Sequence, residues 1–195
     1  MKRIIPMAAC AVLVLSACGG EEGDAREGRS SPAPETQRPG STPVAAPSYT
    51  LPEGWIRETP GSTMRVEQFR LPGEGSGDAE LAVFHFPGTG GTVQANIDRW
   101  LGQFSRPDGS PIREHAELDT LHTDGRSVVI VDVSGTYDPG MMGGGSGPLT
   151  DHRLLGAITT EPDGPWFYKL VGPRPAVERW ESSFYDFVRS LRSSR

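Results

Sequence analysis

The sequence predicts an α+β domain, in which a largely antiparallel sheet of about six to seven strands is covered by two amphipathic helices. Short apolar or alternating segments recur from about residue 49 onward, and turn residues typical of hairpins separate most of them. Two further segments repeat apolar residues at helical spacing. Hairpins join antiparallel neighbours, and a helix with one apolar face needs a second layer to cover it.

Three predicted strands precede the first helix. Residues 51–58 form a short segment bounded by proline and glycine, and residues 63–71 alternate apolar with polar side chains. Residues 80–86 are richly apolar, which is typical of a strand buried on both faces. We therefore expect this third strand to lie inside the sheet.

Two helices are predicted from apolar residues spaced three or four apart. The first, for which Thr92 is the expected N-cap, carries Val93, Ile97, Trp100, Leu101 and Phe104. The second begins near residues 173–175 and carries Val177, Trp180, Phe184, Val188 and Leu191. We expect Trp100 and Trp180 to fill the core.

Four more strands are predicted after the first helix. Residues 112–121 are moderately strand-like, and an Asp124-Gly125 turn joins them to residues 127–137. Residues 152–160 and 166–171 form a second hairpin around a turn at residues 161–165. A glycine-rich loop, residues 138–150, connects the two pairs.

The N-terminus has the parts of a secretory signal. Lys2 and Arg3 precede an apolar stretch at residues 7–15, and small residues follow it. The apolar part is shorter than the ~20 residues that a membrane-spanning helix needs. Residues 1–17 are therefore predicted to be a signal peptide.

The residues Leu15-Ser16-Ala17-Cys18 resemble the bacterial lipobox. The resemblance implies cleavage before Cys18 and acylation of Cys18 by diacylglyceryl and fatty-acyl chains such as palmitate. Two or more acyl chains hold a protein firmly at a membrane, because each buried CH₂ contributes about 0.8 kcal/mol. Gly19 stands where an Asp would resemble an inner-membrane retention signal, which favours the outer membrane if the source is Gram-negative.

Residues 18–48 are predicted to be the lipidated cysteine and a disordered tether. They consist mainly of Gly, Glu, Ser, Pro, Ala and Thr and contain no aromatic residue, so they cannot bury enough surface to fold. About thirty such residues reach roughly 30 Å on average. Residues 49–195 are long enough for one domain in the periplasm or at the cell surface.

Composition excludes several classes of function. The chain has two cysteines, one in the signal peptide and one in the lipobox, so the domain has no thiol or disulfide. The net charge of −6 becomes −8 when Lys2 and Arg3 are removed. An acidic chain without a basic cluster argues against binding to nucleic acid.

The element order β-β-β-α-β-β-β-β-α, the Pro-Glu-Gly-Trp opening at residues 52–55 and the aromatic C-terminal helix resemble the PsbP-like α/β/α sandwich. Residues 80–86, 96–104 and 164–172 are similar to an uncharacterised family of bacterial lipoproteins. The resemblance covers most of residues 49–195. It implies binding or assembly roles rather than one chemistry, and it supplies no site.

Two glycine-rich segments are candidate sites. The loop at residues 88–91 precedes a helix N-terminus and could hold an anion, but it lacks P-loop residues and is also typical of a tight turn. Met141 and Met142 could contact a protein partner, because methionine adapts to irregular apolar surfaces. Flexible connection and Cu(I) binding are the alternatives for these two residues.

No catalytic constellation is evident. The histidines, His85, His115, His122 and His152, fit no metal-ligand spacing, and no G-x-S-x-G motif occurs. His152 follows Asp151, but adjacent strand residues point to opposite faces. Trp55 and Trp166 either fill the core or flank a ligand groove, and we expect the core.

The sequence therefore favours a non-enzymatic, membrane-anchored envelope lipoprotein that serves as a binding or assembly module. No cofactor, metal or nucleic acid is expected, and an envelope protein is the expected partner. A periplasmic carrier of a small ligand or metal is the first alternative, and a hydrolytic enzyme is the second.

Overall fold

The structure, a computed structural model, describes residues 46–88, 90–140 and 147–192. Eight strands and two α-helices occur among them, with a short 3-10 helix at Ile112–His115. Their bounds are β1 Ile56–Glu58, β2 Arg65–Leu71, β3 Ala79–His85, α1 Val93–Leu101, β4 Phe104–Ser105, β5 Glu117–Thr123, β6 Arg126–Tyr137, β7 Leu149–Glu161, β8 Gly164–Pro173 and α2 Arg174–Ser190.

All eight strands belong to one antiparallel sheet. The order is β1-β2-β3-β8-β7-β6-β4, and β5 pairs with β6 on the same outer side as β4. Strands β7 and β8 therefore lie at the centre, with β3 beside them as expected from its apolar sequence. The predicted α+β class, with an antiparallel sheet and two helices, is confirmed.

One face of the sheet is largely apolar at its centre and is covered by α2. The side chains that α2 buries are Ala176, Val177, Phe184, Phe187 and Val188. The sheet meets them with large apolar side chains from β2, β3, β6, β7 and β8, including Phe69, Leu81, Ile130, Leu155 and Tyr168. This continuous apolar layer is the main core of the domain.

The opposite face is covered by α1. Ile97, Trp100 and Leu101 of α1 pack on apolar residues of β6, β7 and β8. Trp100 lies so close to β7 that a Cβ on Gly156 would come within 2.4 Å of its ring. Glycine at this position therefore allows the helix to approach the sheet.

Two local predictions are confirmed in detail. Thr92 caps α1, because its side-chain hydroxyl accepts a hydrogen bond of 3.1 Å from the backbone N–H of Ala95. The β5–β6 hairpin turns at Asp124 and Gly125, which have φ values of 50° and 73°. Positive φ at both central positions matches the turn that this dipeptide favours.

Several predicted boundaries are wrong. Strand β1 is confined to its last three predicted residues, Ile56–Glu58. Helix α1 ends at Leu101, so Phe104 is not helical but lies in β4, where it pairs with Tyr137. The predicted strand at residues 112–121 begins instead as the 3-10 helix, and β5 starts only at Glu117. The sheet therefore has one more strand than expected.

No helix within residues 46–88, 90–140 and 147–192 is long and apolar enough to cross a bilayer. The predicted signal peptide (1–17), Cys18, Met141 and Met142 lie outside the described residues. The same is true of Thr89 in the loop at residues 88–91.

Candidate functional site

Helix α1 covers only part of its face of the sheet. Its apolar neighbours lie on β6–β8 and at the end of β3, whereas β1–β3 present charged and polar side chains on the same face. We call this region the polar half-face. Its members are Glu58, Arg65, Gln68, Arg70, Glu80 and, at the border with α1, Lys169.

Lys169 lies on β8, in the middle of the sheet. Its cross-strand partners are Ala82 on β3 and Gly156 on β7, both of which are small. The ring of Trp100 occupies the space above Gly156. Small neighbours leave room for the long lysine side chain, while α1 removes much of the surrounding water. Lys169 nevertheless keeps part of its surface accessible.

The ammonium group of Lys169 has two neutral partners. Nζ donates to the side-chain Oε1 of Gln103 at 2.5 Å and lies 3.4 Å from the hydroxyl of Tyr137. It also lies 5.3 Å from the centre of the Tyr137 ring, which is within the range of a cation–π interaction. Gln103 is held by its own backbone, because its carbonyl accepts a 2.7 Å hydrogen bond from Asp138 N–H.

The carboxylates of the polar half-face are already paired with arginines. Glu80 lies 2.7 Å from Arg65, and Glu58 lies 2.9 Å from Arg70. Arg70 also holds Asp78 at 2.9 Å. None of the carboxylates in the described part of the chain lies within the 4.0 Å ion-pair distance of Lys169.

The environment shifts the two titratable groups at the border in opposite directions. Burial, with a smaller contribution from Arg65, lowers the pKa of Lys169 to about 8, and Glu80 only partly opposes this. Burial, helped by Glu80, raises the pKa of the Tyr137 hydroxyl. Both groups therefore carry their protons at neutral pH.

His152 stacks on the other side of this cluster and does not pair with Asp151. Its ring lies 6.2 Å from that of Tyr137, at an interplanar angle of 17°. Its Nδ1 lies 2.9 Å from the carbonyl oxygen of Thr150, whereas Asp151 binds Arg174 at 2.7 Å. The two side chains therefore form no acid–base pair with each other.

The glycine loop before α1 is a tight turn bordered by two open cavities. Gly88 and Gly91 have φ values of 78° and 81°, and Gly88 N–H donates to the carbonyl of Asp163. The cavities, of about 490 and 350 Å³, share Gly91 in their walls. Gly88 and Gly91 use glycine's freedom at positive φ, as expected if this loop serves as a tight turn.

His85 is packed, as is usual for a histidine in a strand. Its ring stacks on Trp166 with centroids 4.2 Å apart, and Nε2 lies 2.8 Å from a carboxylate oxygen of Asp163. Within the described ranges, no group of three or more His, Cys, Asp or Glu side chains is arranged to hold a metal ion.

The tryptophans fill the core. Trp55, Trp100 and Trp166 are 6%, 6% and 4% exposed, so the groove alternative for Trp55 and Trp166 is wrong. Trp180 is partly buried against the α2 core, and its indole N–H donates to the carbonyl of Pro72 at 2.8 Å.

Lys169, Gln103 and Tyr137 were not singled out from the sequence. One signal was present, because Lys169 is the only lysine after Lys2 and stands in the predicted strand at residues 166–171, between Tyr168 and Leu170. A lysine flanked by large apolar residues in a central strand indicates a partly buried charge. The contribution of Gln103 depends on how α1 ends, which the helical spacing did not predict.

The sequence matches no protein-family model and no curated protein. Among solved structures, a Pseudomonas aeruginosa protein of unknown function, PA94, is similar with a TM-score of 0.49 and 11% identity, over 77% of this chain and 99% of that one. The cyanobacterial PsbP of Synechocystis, CyanoP, is similar with a TM-score of 0.46 and 16% identity, over 80% and 96%.

Proposed function

We propose that this chain is a lipid-anchored lipoprotein of the cell envelope, whose domain is a non-enzymatic module that binds a partner through the polar half-face. The observation that carries the proposal is the ammonium of Lys169, which is largely buried yet, among the described residues, has only the neutral partners Gln103 and Tyr137. Cys18 supports the anchor, and its lipobox context is the basis for an envelope location.

A buried charge without an opposite charge is costly for the fold. Desolvation destabilises the ammonium, and neutral hydrogen bonds offset only part of that cost. Natural proteins retain such groups mainly where function needs them. The position of Lys169 beside an open polar surface therefore supports binding rather than a purely structural role.

The protonation states suit a site that donates hydrogen bonds. At neutral pH both Lys169 and Tyr137 are hydrogen-bond donors, because the pKa of the first stays above 7 and that of the second is raised. Two adjacent donors suit a ligand that brings the acceptor.

Crosslinking tests the proposed surface. A photoreactive residue at Ile56, which is 40% exposed on the face of the polar half-face, should capture a discrete partner in cells. The adduct should disappear in the Lys169→Met variant. The matched control is the photoreactive residue at Glu178, on the exposed side of α2. Equal capture from both positions, or capture that Lys169→Met leaves unchanged, would contradict the proposal.

Fractionation tests the anchor separately. The wild-type chain should partition with membranes in its processed form and incorporate a labelled fatty acid, whereas Cys18→Ser should lose the label and appear as unprocessed or soluble protein. Cys10→Ser, which lies in the predicted signal peptide, is the control and should behave as wild type. Membrane retention of a processed Cys18→Ser chain would show that the anchor is not this cysteine.

A further inference from the structure

The Lys169 ammonium and the Tyr137 hydroxyl meet at the border between α1 and the polar half-face, and each has one hydrogen that no described residue accepts. The Lys169 ammonium has three N–H donors. Gln103 Oε1 and the Tyr137 hydroxyl oxygen accept two of them, and the third has no acceptor among the described residues. The Tyr137 hydroxyl, in turn, donates to no group in the same part of the chain. The donor atoms lie 3.4 Å apart.

The carboxylates near the site are held by arginines rather than by Lys169. Glu80, which acts on Lys169 only at a distance, pairs with Arg65. The outer carboxylates, Glu58 and Asp78, are held by Arg70. Among the described residues, the Lys169 ammonium therefore has no carboxylate in direct contact, in a place where desolvation strengthens electrostatic interactions.

We infer that Lys169 and Tyr137 bind a carboxylate group of the partner or ligand, with one oxygen accepting from the ammonium and the other from the hydroxyl. This inference deepens the proposed function and rests on it. Gln103 is a positioning residue, because its side-chain oxygen fixes the ammonium while its backbone carbonyl is tied to Asp138. Charge-assisted hydrogen bonds of this kind are among the stronger polar interactions in proteins.

The charge of the site favours a carboxylate over a phosphate. A carboxylate carries one negative charge, which matches the single charge of the Lys169 ammonium. A phosphate dianion would add a second charge close to Glu80, and the nearby guanidinium of Arg65 is already engaged by Glu80 and Gln68. Carboxylate groups occur on free organic acids and at peptide C-termini, and the site recognises the chemistry that both share.

The test uses the single lysine of the domain. In the full chain with Lys2→Arg and Cys18→Ser, purified in detergent, Lys169 is the sole lysine, so ¹³C-lysine labelling gives one ε-methylene NMR signal. Sodium acetate at pH 7 is the probe, sodium chloride at equal ionic strength controls for screening, and acetamide is the neutral isostere. N-acetylglycine and free glycine amide separate a peptide-like carboxylate from an amine or amide effect.

Acetate and N-acetylglycine should shift the Lys169 signal saturably, whereas chloride, acetamide and glycine amide should not. Tyr137→Phe should weaken acetate binding about tenfold, the loss expected for one hydrogen bond to a charged group. Gln103→Ala should also weaken it, and Gln103→Glu should abolish it by neutralising the ammonium. Circular dichroism should show that each variant is folded.

A shift by acetate no larger than that by chloride would overturn the inference, and so would tighter binding of inorganic phosphate. The two proposals fail independently. Acetate binding together with equal crosslinking from Ile56 and Glu178 would reject the proposed partner surface but keep the carboxylate site. Specific crosslinking without acetate binding would keep the surface and reject the carboxylate.

Discussion

Arg153 and Lys169 are largely buried cations on opposite faces of the sheet, and their surroundings differ. Arg153, on the α2 face of β7, is enclosed by carboxylates. Its Nε and Nη2 donate to both oxygens of Asp132 at 2.8 and 2.5 Å, and its Nη1 donates to Glu181 at 2.7 Å. Lys169, on the α1 face of the adjacent strand, has only the Gln103 amide and the Tyr137 phenol as partners within the described part of the chain.

The difference appears in the titration of the two groups. Hydrogen bonds to Asp132 raise the pKa of Arg153 despite its burial, whereas burial lowers the pKa of Lys169 to about 8. The Arg153 network is complete without a ligand, as expected for a structural ion pair. The Lys169 cluster is incomplete, as expected for a site that receives an acceptor from outside. Under the proposed function, Arg153 serves the fold and Lys169 is available to a ligand.

The largest effect on stability is expected from removing Arg153, whose charge is fully paired within the protein. Arg153→Met should lower the free energy of unfolding by about 3–4 kcal/mol, because Asp132 and Glu181 then lose their shared cation. Urea denaturation at pH 7 measures this loss. Arg113→Met is the matched control, since the Arg113–Asp98 pair is about half exposed on both sides, and it should cost less than about 1 kcal/mol. Equal losses in the two variants would remove the distinction between a buried network and a surface pair.

The next effect concerns Gly156, the position on β7 where α1 approaches the sheet. Gly156→Ala should destabilise the domain by about 2 kcal/mol, because its Cβ would come within 2.4 Å of the Trp100 ring. The displaced helix should also admit water to Lys169 and move its pKa towards the ordinary value. Thermal denaturation measures the first effect and lysine NMR the second. Gly61→Ala, where a Cβ meets nothing closer than 3.6 Å, should change stability by less than about 0.5 kcal/mol.

The pH dependence of stability should reveal the incomplete site. The folded chain releases the Lys169 proton near pH 8, whereas the unfolded chain keeps it until about pH 10.5. The unfolded state therefore binds more protons between these values, and the free energy of unfolding should rise with pH. From pH 8 to 9.5 the gain over the Lys169→Met variant should be about 2 kcal/mol. Tyrosines, whose pKa values are raised in the folded chain, titrate in both proteins, so the difference from Lys169→Met isolates the lysine.

A smaller effect is expected from removing the charge altogether. Lys169→Met should raise the free energy of unfolding at pH 7 by about 1 kcal/mol, because methionine fills the space without the cost of a desolvated ammonium. Lys169→Arg, which stays charged, is the control and should not stabilise the domain. Chemical denaturation of both variants decides the point. A marked loss of stability in Lys169→Met would mean that the lysine serves the fold, as Arg153 does.

The alternation of apolar residues, the Asp124-Gly125 turn and the N-cap at Thr92 were sufficient to predict the fold class. Each of these signals depends only on residues that are close in sequence, and each determines the structure of its own segment. The spacing that placed Phe104 in α1 was misleading, because a residue of the core can satisfy helical periodicity while belonging to the next element. Phe104 pairs with Tyr137, which is distant in sequence, and helical spacing carries no information about such a contact.

The start of β5 was missed for a related reason. Residues 112–115 form a 3-10 helix of mixed composition, and four residues carry too little periodicity to separate such a turn from a strand. The site was missed because three distant parts of the chain build it: the end of α1 brings Gln103, β6 brings Tyr137 and β8 brings Lys169. Composition singled out Lys169 only as a rare residue type, and its burial follows from Ala82, Gly156 and Trp100 together.

The most direct measurement is the pKa of Lys169 by NMR titration of the single ¹³C-lysine signal in the Lys2→Arg, Cys18→Ser chain. The expected value is about 8, with a rise when acetate is present, because a bound carboxylate stabilises the ammonium. A value at the ordinary lysine pKa of about 10.4, unchanged by acetate, would show that water or a carboxylate already satisfies the charge. The polar half-face would then lack the incomplete site on which the proposed function depends.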